Sequence, residues 1–324
     1  MEYRTFGRTA WKVSEIAFGG WQIGGTWGEV DDEESIGTLL HSYESGINFV
    51  DTAELYGNGR SESVIGESLR RWKGEKIYVA TKIQPTQWPN ADEDKPLMRG
   101  RYPEWYLREG VDKALARLGV ERLDVLQLHC WLKDGVHSLD WLETLNDLVI
   151  EGKVDQVGVS IRDYRPDEGV AVAKLGLVSS IQVIFNMFEQ RPAGDLFEAC
   201  ASTGTAAIAR VPLDSGSLSG QWTADTYDSW EPGSVPHELF RNERFGETLA
   251  KVEELKKVVV PYYSSLAEAA MRYALSSPEV ATLIPGMRTR TNVDRNVAYS
   301  DGQPFPAELL EKLAPFNWPR NYYK

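Results

Sequence analysis

Four side chains that can hold or move a proton follow three successive short apolar runs of the chain. Asp51 and Tyr56 lie in FVDTAELYG, Lys82 ends VATK, and His129 follows the run in LQLHCW. Tyrosine is a poor acid near neutral pH, but a neighbouring ammonium group stabilises its phenolate and lowers its pKa. Asp51 would keep Lys82 charged, and His129 would orient a substrate carbonyl by a hydrogen bond. This set predicts a general acid that protonates a carbonyl oxygen while another group supplies hydride.

Each of these residues taken alone has an ordinary structural explanation. A single aspartate before a helix is most often a cap, and a single tyrosine in a glycine-rich loop is as often a packing residue. Lysine is usually solvated, although the end of an apolar strand is an uncommon place for it, and a histidine after a buried strand is commonly a core residue. Only the joint occurrence at successive strand ends favours a catalytic group.

Eight short runs rich in β-branched residues predict the strands that would position these groups. Between them, apolar residues recur at i, i+3, i+4 and i+7, which is the pattern of amphipathic helices. The predicted strands are 15–18, 47–50, 77–81, 125–128, 156–159, 181–184, 206–209 and 282–284. Eight such units in 324 residues predict an α/β fold, a (β/α)₈ TIM barrel that forms a single domain over residues 1–324.

An open doubly wound sheet is the competing architecture. It would carry a GxGxxG turn that opens a helix, whereas the glycines of FGGWQIGGTWG have other spacings. The turn at Gly7 predicts an N-terminal β-hairpin that closes the barrel floor. Asp31 is the predicted N-cap of the first helix. Long connections at 84–103 and 211–246 are expected at the C-terminal face, where such loops shape a substrate site.

The composition restricts the possible partners and compartment. Hydrophobic residues make up 42% and charged residues 26%, which is typical of a folded globular protein. Lys and Arg number 35 and Asp and Glu 48, so the net charge of −13 disfavours nucleic acid and anionic membranes as partners. No apolar run reaches a spanning length, and the first residues lack a signal peptide's apolar core. With only Cys130 and Cys200, too far apart for a CxxC motif, we expect a cytoplasmic protein.

The motifs around the four residues resemble those of the aldo-keto reductase family, and in particular of its bacterial-type NADPH-dependent members. The resemblance extends over essentially the whole chain. DTAELYGNGRSESVIGESL is similar to the pattern DTA-x-x-YG-x-G-x-SE-x-x-IG-x-x-L, IYVATK to the family's lysine motif, and DVLQLHCW to its histidine motif. The resemblance implies a TIM barrel and reduction of aldehydes and ketones. It implies Tyr56 as general acid, Lys82 and Asp51 as its tuning pair, His129 as the carbonyl-orienting residue, and no metal ion.

The resemblance also implies a site for NADPH/NADP+ at the later strand ends, shared with Asp51. The residues expected beside the nicotinamide and its ribose are Gly20, Trp21, Ser160 and Gln182. Those expected around the pyrophosphate are Arg210, Pro212, Leu213, Ser215, Gly216 and Ser219. Those expected around the adenosine and its 2′-phosphate are Gly286, Arg288, Thr289, Asn292, Arg295 and Asn296. Apart from the resemblance, arginines at a helix start after Pro-Gly suit a doubly charged phosphate, which favours NADPH over NADH.

Two positions depart from the family pattern at the cofactor site. Many relatives place an aromatic residue at the end of the seventh barrel strand, where this chain has Arg210. Arg210 would either stack through its guanidinium plane or reach the pyrophosphate. Ile161 replaces an asparagine that often follows the fifth-strand serine. Neither departure removes a catalytic group, but both change expected cofactor contacts.

The expected substrates are small carbonyl compounds, among them small or aromatic aldehydes and dicarbonyls such as methylglyoxal. The alternative function is an NADP-sensing regulatory subunit of the potassium-channel β type with little turnover, since the same fold can bind the cofactor for sensing. An unrelated barrel enzyme that uses a metal ion or acts on phosphate sugars is a more remote alternative. It would need a cluster of metal-ligating residues or a Gly-rich phosphate loop after the seventh strand, and this sequence has neither. For the assembly, we expect a monomer or a weak homo-oligomer.

Overall fold

The strands form an eight-stranded parallel barrel, and the computed structural model describes residues 1–90, 93 and 96–321. Two hairpin strands precede the barrel, β1 (Tyr3–Thr5) and β2 (Lys12–Ser14). The barrel strands are β3 (Phe18–Gly19), β4 (Phe49–Asp51), β5 (Tyr78–Ile83), β6 (Leu123–Trp131), β7 (Val154–Ile161), β8 (Ser180–Ile184), β9 (Ala206–Arg210) and β10 (Val280–Ile284). They pair in chain order from β3 to β10, so their carboxyl ends share one rim. The predicted TIM barrel is confirmed, and each predicted strand overlaps an observed one.

The barrel closes between β3 and β10. Ala17 N donates a hydrogen bond to Leu283 O (2.7 Å), and Leu283 N donates to the carbonyl oxygen of Glu15 (2.8 Å). The run predicted as 15–18 is therefore divided between two neighbours, because its first residues pair with β10 and its last with β4. At Gly19 a Cβ atom would lie 2.7 Å from Pro285 O, so the seam needs glycine there.

Helices connect the strands around the outside of the barrel. They are α1 (Asp32–Glu44), α2 (Arg60–Arg71), α3 (Glu104–Leu118), α4 (Asp140–Ile150), α5 (Gly169–Lys174), α6 (Asp195–Thr203), α7 (Val235–Leu239), α8 (Arg244–Val259), α9 (Leu266–Leu275), α10 (Arg290–Ala298) and α11 (Ala307–Leu313). The predicted cap is confirmed, since the Asp31 carboxylate accepts a hydrogen bond from Glu34 N (2.9 Å). In the part of the chain that the structure describes, we find no helix with the length and apolar character needed to cross a bilayer.

The long connection after β9 is organised by its own apolar cluster. Phe240 and Phe245 are buried, and Trp222, Tyr227 and Trp230 pack against them. The Trp222 ring lies 4.7 Å from that of Phe240 and 5.1 Å from that of Trp230. Aromatic contacts at this spacing stabilise the connection, whose regular structure before α8 is limited to α7 and short helical turns. The connection therefore forms an ordered wall at the C-terminal rim.

The hairpin seals the opposite end of the barrel. Phe6, which follows β1, is buried against the amino-terminal parts of the barrel strands, where Phe49 and Val125 lie. Arg4 donates to the Glu15 carboxylate (2.8 Å) and to three backbone carbonyls at the end of α9 and the start of β10, those of Leu275, Ser277 and Val280. The predicted N-terminal hairpin at the barrel floor is confirmed.

We expect Arg4→Ala to lower the free energy of unfolding by about 2–3 kcal/mol, because it leaves the buried Glu15 carboxylate without its cation and frees three carbonyls. Urea unfolding followed by circular dichroism measures this change. Arg8→Ala, an exposed arginine in the same hairpin, is the control and should change stability by less than about 0.5 kcal/mol. Equal midpoints for the two variants would show that Arg4 does not anchor the floor.

Candidate active site

Asp51 and Lys82 meet inside the barrel at the carboxyl ends of β4 and β5. Lys82 Nζ donates to Asp51 Oδ1 (2.5 Å), to Thr52 O (2.8 Å) and to Tyr56 Oη (3.2 Å). The side chains of Lys82 and Asp51 are 0% and 2% exposed. The three protons of the ammonium group thus have three acceptors, which a buried cation requires. Tyr56 reaches this pair from the loop that follows β4.

The second carboxylate oxygen of Asp51 is held by two glutamines. Gln182 Nε2 donates to Asp51 Oδ2 at 2.7 Å, and Gln127 Nε2 donates to the same atom at 3.3 Å. Gln127 lies on β6, and a Cβ atom at Gly158 of the neighbouring strand would come within 3.0 Å of its Cγ. Gln127 was not among the predicted site residues, and its signal is a single amide within LDVLQL.

The electrostatics of Tyr56 correct one expectation. Burial raises the pKa of its phenol, and this effect exceeds the lowering by Lys82, so the pKa lies above the ordinary value rather than below it. For Lys82, burial alone would lower the pKa, but Asp51 and then Tyr56 outweigh it and leave the pKa raised. At neutral pH the site therefore holds a protonated phenol beside a charged ammonium group. The prediction of a net lowered tyrosine pKa is wrong for this structure.

His129 faces the phenol near the end of β6. Its ring lies edge-on to Tyr56 with the centroids 5.9 Å apart, and edge-on to Trp88 at 5.6 Å. Burial, and then the positive charges of Lys82 and Arg210, place the pKa of His129 well below its ordinary value. The imidazole is therefore neutral near pH 7. Its Nδ1 is buried and has no hydrogen-bond partner among the described residues.

A cavity of about 1360 Å³ opens above these groups at the C-terminal rim. Two indoles form its wall beside the phenol, since the Trp21 ring is stacked 6.0 Å from Tyr56 and the Trp27 ring lies edge-on to Trp21 at 5.2 Å. Trp88 adds a third indole beside His129. This wall offers apolar surface next to the two groups that can hydrogen-bond a carbonyl oxygen.

The residues expected at the nicotinamide lie together on the cavity wall. Gly20, Trp21, Ser160 and Gln182 all line it. A Cβ atom at Gly20 would lie 2.9 Å from Asp51 O, so this backbone has room only for glycine. Gln182 donates its amide to Asp51, and its Oε1 is buried without a hydrogen-bond partner among the described residues.

The loop expected at the pyrophosphate is only partly in the cavity wall. The five consecutive residues from Pro212 to Gly216 line the cavity. Ser215 and Gly216 have left-handed backbone angles, with φ of 54° and 103°. Ser219 lies outside the wall, where its hydroxyl accepts from Gln221 N (3.3 Å). The structure therefore separates Ser219 from the other predicted loop contacts.

Arg210 crosses the cavity mouth from β9 towards β7. Its guanidinium donates to Ile161 O (2.9 Å) and forms an ion pair with the Asp163 carboxylate. The two departures from the family pattern, at positions 161 and 210, are thus in direct contact. This contact could not be predicted from the sequence, because the two residues lie on different strands.

The residues expected at the adenosine are also divided. Gly286 and Arg288 line the cavity, while the other four lie at the start of α10 or within it. Thr289 is the N-cap of α10 and accepts from Asn292 N (3.2 Å). Asn296 is 1% exposed, yet neither polar atom of its amide has a hydrogen-bond partner among the described residues, and the same holds for the buried Nε of Arg295.

Arg288 has a partner that the sequence did not predict. Its guanidinium donates to Trp27 O (3.0 Å) and Glu29 O (2.8 Å), both in the loop between β3 and α1. The loop that carries two of the indoles is therefore tethered to the start of α10. The side chain is exposed, so it can also meet an anion from solvent.

Comparisons with known proteins agree with this architecture. An NADH-specific methylglyoxal reductase from Escherichia coli (strain K12) is 27% identical over 312 residues, covering 90% of this chain and 91% of the relative. A probable voltage-gated potassium channel subunit beta from Oryza sativa subsp. japonica is 28% identical over 325 residues, covering 97% and 95%. The solved structure of a glycerol dehydrogenase from Gluconobacter oxydans has a TM-score of 0.79 at 25% identity, covering 97% of this chain and 94% of that one.

The profile of the aldo/keto reductase family matches residues 15–316, which include all eight barrel strands and the four side chains at their carboxyl ends. The match is continuous from the barrel seam to the last helices. The chain therefore belongs to the aldo/keto reductase family.

Proposed function

We propose that this protein reduces small aldehydes and ketones to alcohols with NADPH as the hydride donor. The observation that carries the proposal is the contact of one buried ammonium group, Lys82, with both the Asp51 carboxylate and the Tyr56 phenol at the base of a large cavity. Such a phenol is protonated, adjacent to a fixed positive charge, and open to a ligand on one side. These are the properties required of a donor to a developing alkoxide.

The residues present fit a nicotinamide dinucleotide. Gln182 Oε1 is an unsatisfied buried acceptor beside the catalytic group, and the Asn296 amide is an unsatisfied buried group at α10. Unsatisfied buried polar atoms are costly unless a ligand or water pairs with them. We assign Gln182 and Ser160 to the nicotinamide, the loop from Pro212 to Gly216 to the pyrophosphate, and the start of α10 to the adenosine. When bound, the cofactor supplies hydride to the carbonyl carbon.

The remaining chemistry belongs to the chain. Tyr56 Oη donates its proton to the carbonyl oxygen as negative charge develops there, and Lys82 stabilises the phenolate that remains. Asp51, held by Gln127 and Gln182, keeps the ammonium charged and in place. The neutral imidazole of His129 orients the carbonyl by a hydrogen bond without competing as an acid.

The preference for NADPH rests on the arginines near the start of α10. Arg288 and Arg290 are exposed there, and a helix start with arginines favours a phosphate dianion. The relative from Escherichia coli is named as NADH-specific, so family membership alone does not decide the cofactor. The same relative is a methylglyoxal reductase, which supports small aldehydes and dicarbonyls as the substrate class here.

We place this activity in a single domain of residues 1–324, working as a monomer or weak homo-oligomer in the cytoplasm. The two cysteines, Cys130 and Cys200, are buried free thiols, which suits a reducing compartment. The second candidate function is an NADP-sensing subunit, supported by the similarity to the rice channel subunit. Multiple turnovers on an aldehyde favour the reductase, whereas cofactor binding without turnover on any carbonyl favours the sensing role.

We expect Tyr56→Phe to lower kcat for aldehyde reduction by about 10²- to 10⁴-fold, the range that a positioned general acid contributes. The Kd for NADPH, measured by quenching of tryptophan fluorescence, should stay within about twofold because the ring is kept. Tyr106→Phe removes a hydroxyl from a half-buried tyrosine on α3 and serves as the control. Retention of wild-type turnover by Tyr56→Phe would exclude this residue as the proton donor.

The pH profile of reduction should be flat across neutral pH. Because the pKa of Tyr56 is raised, the donor stays protonated until the pH rises through that value, and kcat falls only in the alkaline range. Because the pKa of His129 is lowered, no loss of kcat is expected between about pH 5.5 and 8. Initial rates measured across this range and into the alkaline range give the pH profile. A limb near pH ~6.5 that disappears in His129→Gln would contradict a neutral histidine.

We expect Arg288→Ala to raise the Kd for NADPH relative to that for NADH by about tenfold, since a charge-assisted contact to the 2′-phosphate is lost. The ratio of the two constants is the measurement, because loss of the tether to the loop between β3 and α1 would affect both cofactors. Arg122→Ala, an exposed arginine just before β6 at the far end of the barrel, is the control. An unchanged ratio would remove Arg288 from phosphate recognition.

A further inference from the structure

We propose that Arg117 and Glu62 are positioning residues that hold the Tyr56 loop against Lys82; this inference rests on the proposed function of Tyr56. Neither residue touches the cavity. They connect the helices α2 and α3, outside the barrel, to the two segments that carry the catalytic phenol and ammonium group. Their contacts can be followed one at a time.

Glu62 connects α2 to the strand of Lys82. It lies in the first turn of α2 and is 0% exposed. Its Oε1 accepts a hydrogen bond from Thr81 Oγ1 at 2.5 Å, and Thr81 directly precedes Lys82 in β5. Its other oxygen, Oε2, has no hydrogen-bond partner among the described residues, so the buried carboxylate depends on a nearby cation. The bond from Thr81 ties the position of α2 to that of the lysine strand.

Arg117 connects α3 to both sides of the tyrosine loop. Its Nη1 lies 3.1 Å from Glu62 Oε2, and its Nη2 lies 3.6 Å from Glu54 Oε1. Glu54 precedes Tyr56 by two residues and Glu62 follows it by six. One guanidinium group thus joins the two ends of the loop, which favours a single loop geometry.

Gly59 makes this arrangement possible. A Cβ atom at this position would lie 2.2 Å from Arg117 Nη1 and 2.6 Å from its Cδ, and the backbone φ is +88°. The arginine side chain therefore lies flat against the loop backbone. Gly59 N also donates to Glu54 O at 2.7 Å, and Glu54 N donates to Lys82 O at 3.3 Å. These bonds carry the position of the arginine into the loop and the lysine strand.

These contacts determine the distance between the Lys82 ammonium group and the Tyr56 phenol. Lys82 is held by Asp51 and Thr52 O independently of the phenol, so it would not follow Tyr56 if the loop moved. The Lys82 Nζ to Tyr56 Oη distance is 3.2 Å, and a further displacement of about 0.5 Å would take it beyond useful hydrogen-bond range. Arg117 and Glu62 therefore set how well the ammonium group stabilises the phenolate during proton transfer.

Two substitutions test this by different routes. Arg117→Met removes the guanidinium group but keeps the packing of the stem, and Thr81→Val removes one hydrogen bond to Glu62 without changing any charge. We expect kcat to fall about tenfold in the first and about threefold in the second, with KM within about twofold, since misplacement affects the chemical step. Arg117→Lys should recover part of the loss. Arg108→Met, on the same helix with exposed ion pairs, is the matched control and should not change kcat.

A readout independent of turnover is the Cζ resonance of Tyr56 in protein labelled with ¹³C-tyrosine, identified by its loss in Tyr56→Phe. In Arg117→Met and Thr81→Val this resonance should move towards its position in Lys82→Met, where the ammonium group is absent. In Arg108→Met it should not move. Arg117→Met leaves Glu62 as a buried charge without a cation and can therefore unfold the protein. If Arg117→Met does not fold, Thr81→Val decides the question.

The two proposals fail in different ways. A wild-type protein that reduces no carbonyl, but whose Tyr56 resonance moves as expected in the variants, overturns the proposed function and supports the positioning role. Folded variants with an unchanged Tyr56 resonance and unchanged kcat, in a wild-type background that does turn over, overturn the positioning role. Equal losses in Arg117→Met and Arg108→Met would also overturn it, because helix charge alone would then explain the effect.

Discussion

A buried ammonium group is the constraint on which the site depends. Lys82 has no exposed side-chain surface, and a cation at that depth is stable only with an anionic partner and a full set of acceptors. Asp51 supplies the charge, and Thr52 O and Tyr56 Oη complete the set. The carboxylate in turn needs donors of its own, which explains the two buried amides, Gln127 on β6 and Gln182 on β8. One buried charge thus accounts for the buried Asp51 carboxylate and for both of its amide partners.

Barrel closure is what makes this cluster possible. Parallel strands in chain order place every carboxyl end on one rim, so residues from β4, β5, β6 and β8 converge although they are far apart in sequence. The opposite end is sealed by Phe6 and Arg4 of the hairpin, which keeps water from the lower barrel. The candidate site and the floor contacts therefore lie at opposite ends of one fold, and a substitution at the floor can change unfolding without reaching Asp51, Tyr56 or Lys82.

The fold and the residue types at the candidate site could be predicted because both depend on local sequence. Eight apolar runs separated by amphipathic segments identify the barrel, and Lys82 and His129 stand out because polar groups rarely end such runs. The direction of the Tyr56 pKa shift could not be predicted, since it depends on whether burial outweighs the contact with the Lys82 ammonium group. The contact between Arg210 and Asp163 joins the end of β9 to the segment after β7 and leaves no mark in either part of the sequence. Glu62 is visible in its motif, but its partner Arg117 becomes evident only when α2 and α3 are packed together.

Gln182 adds a connection between the part of the cavity proposed for the nicotinamide and Tyr56, the proposed proton donor. Its Nε2 is committed to Asp51, so only Oε1 is available to a ligand, and that atom can act only as an acceptor. A group that donates an N–H to Oε1 would polarise the amide and strengthen its bond to the carboxylate. Asp51 transmits any such change to Lys82, and Lys82 to Tyr56. The same hydrogen bonds that neutralise the buried ammonium group therefore also link the proposed nicotinamide end of the cavity to the proposed proton donor, Tyr56.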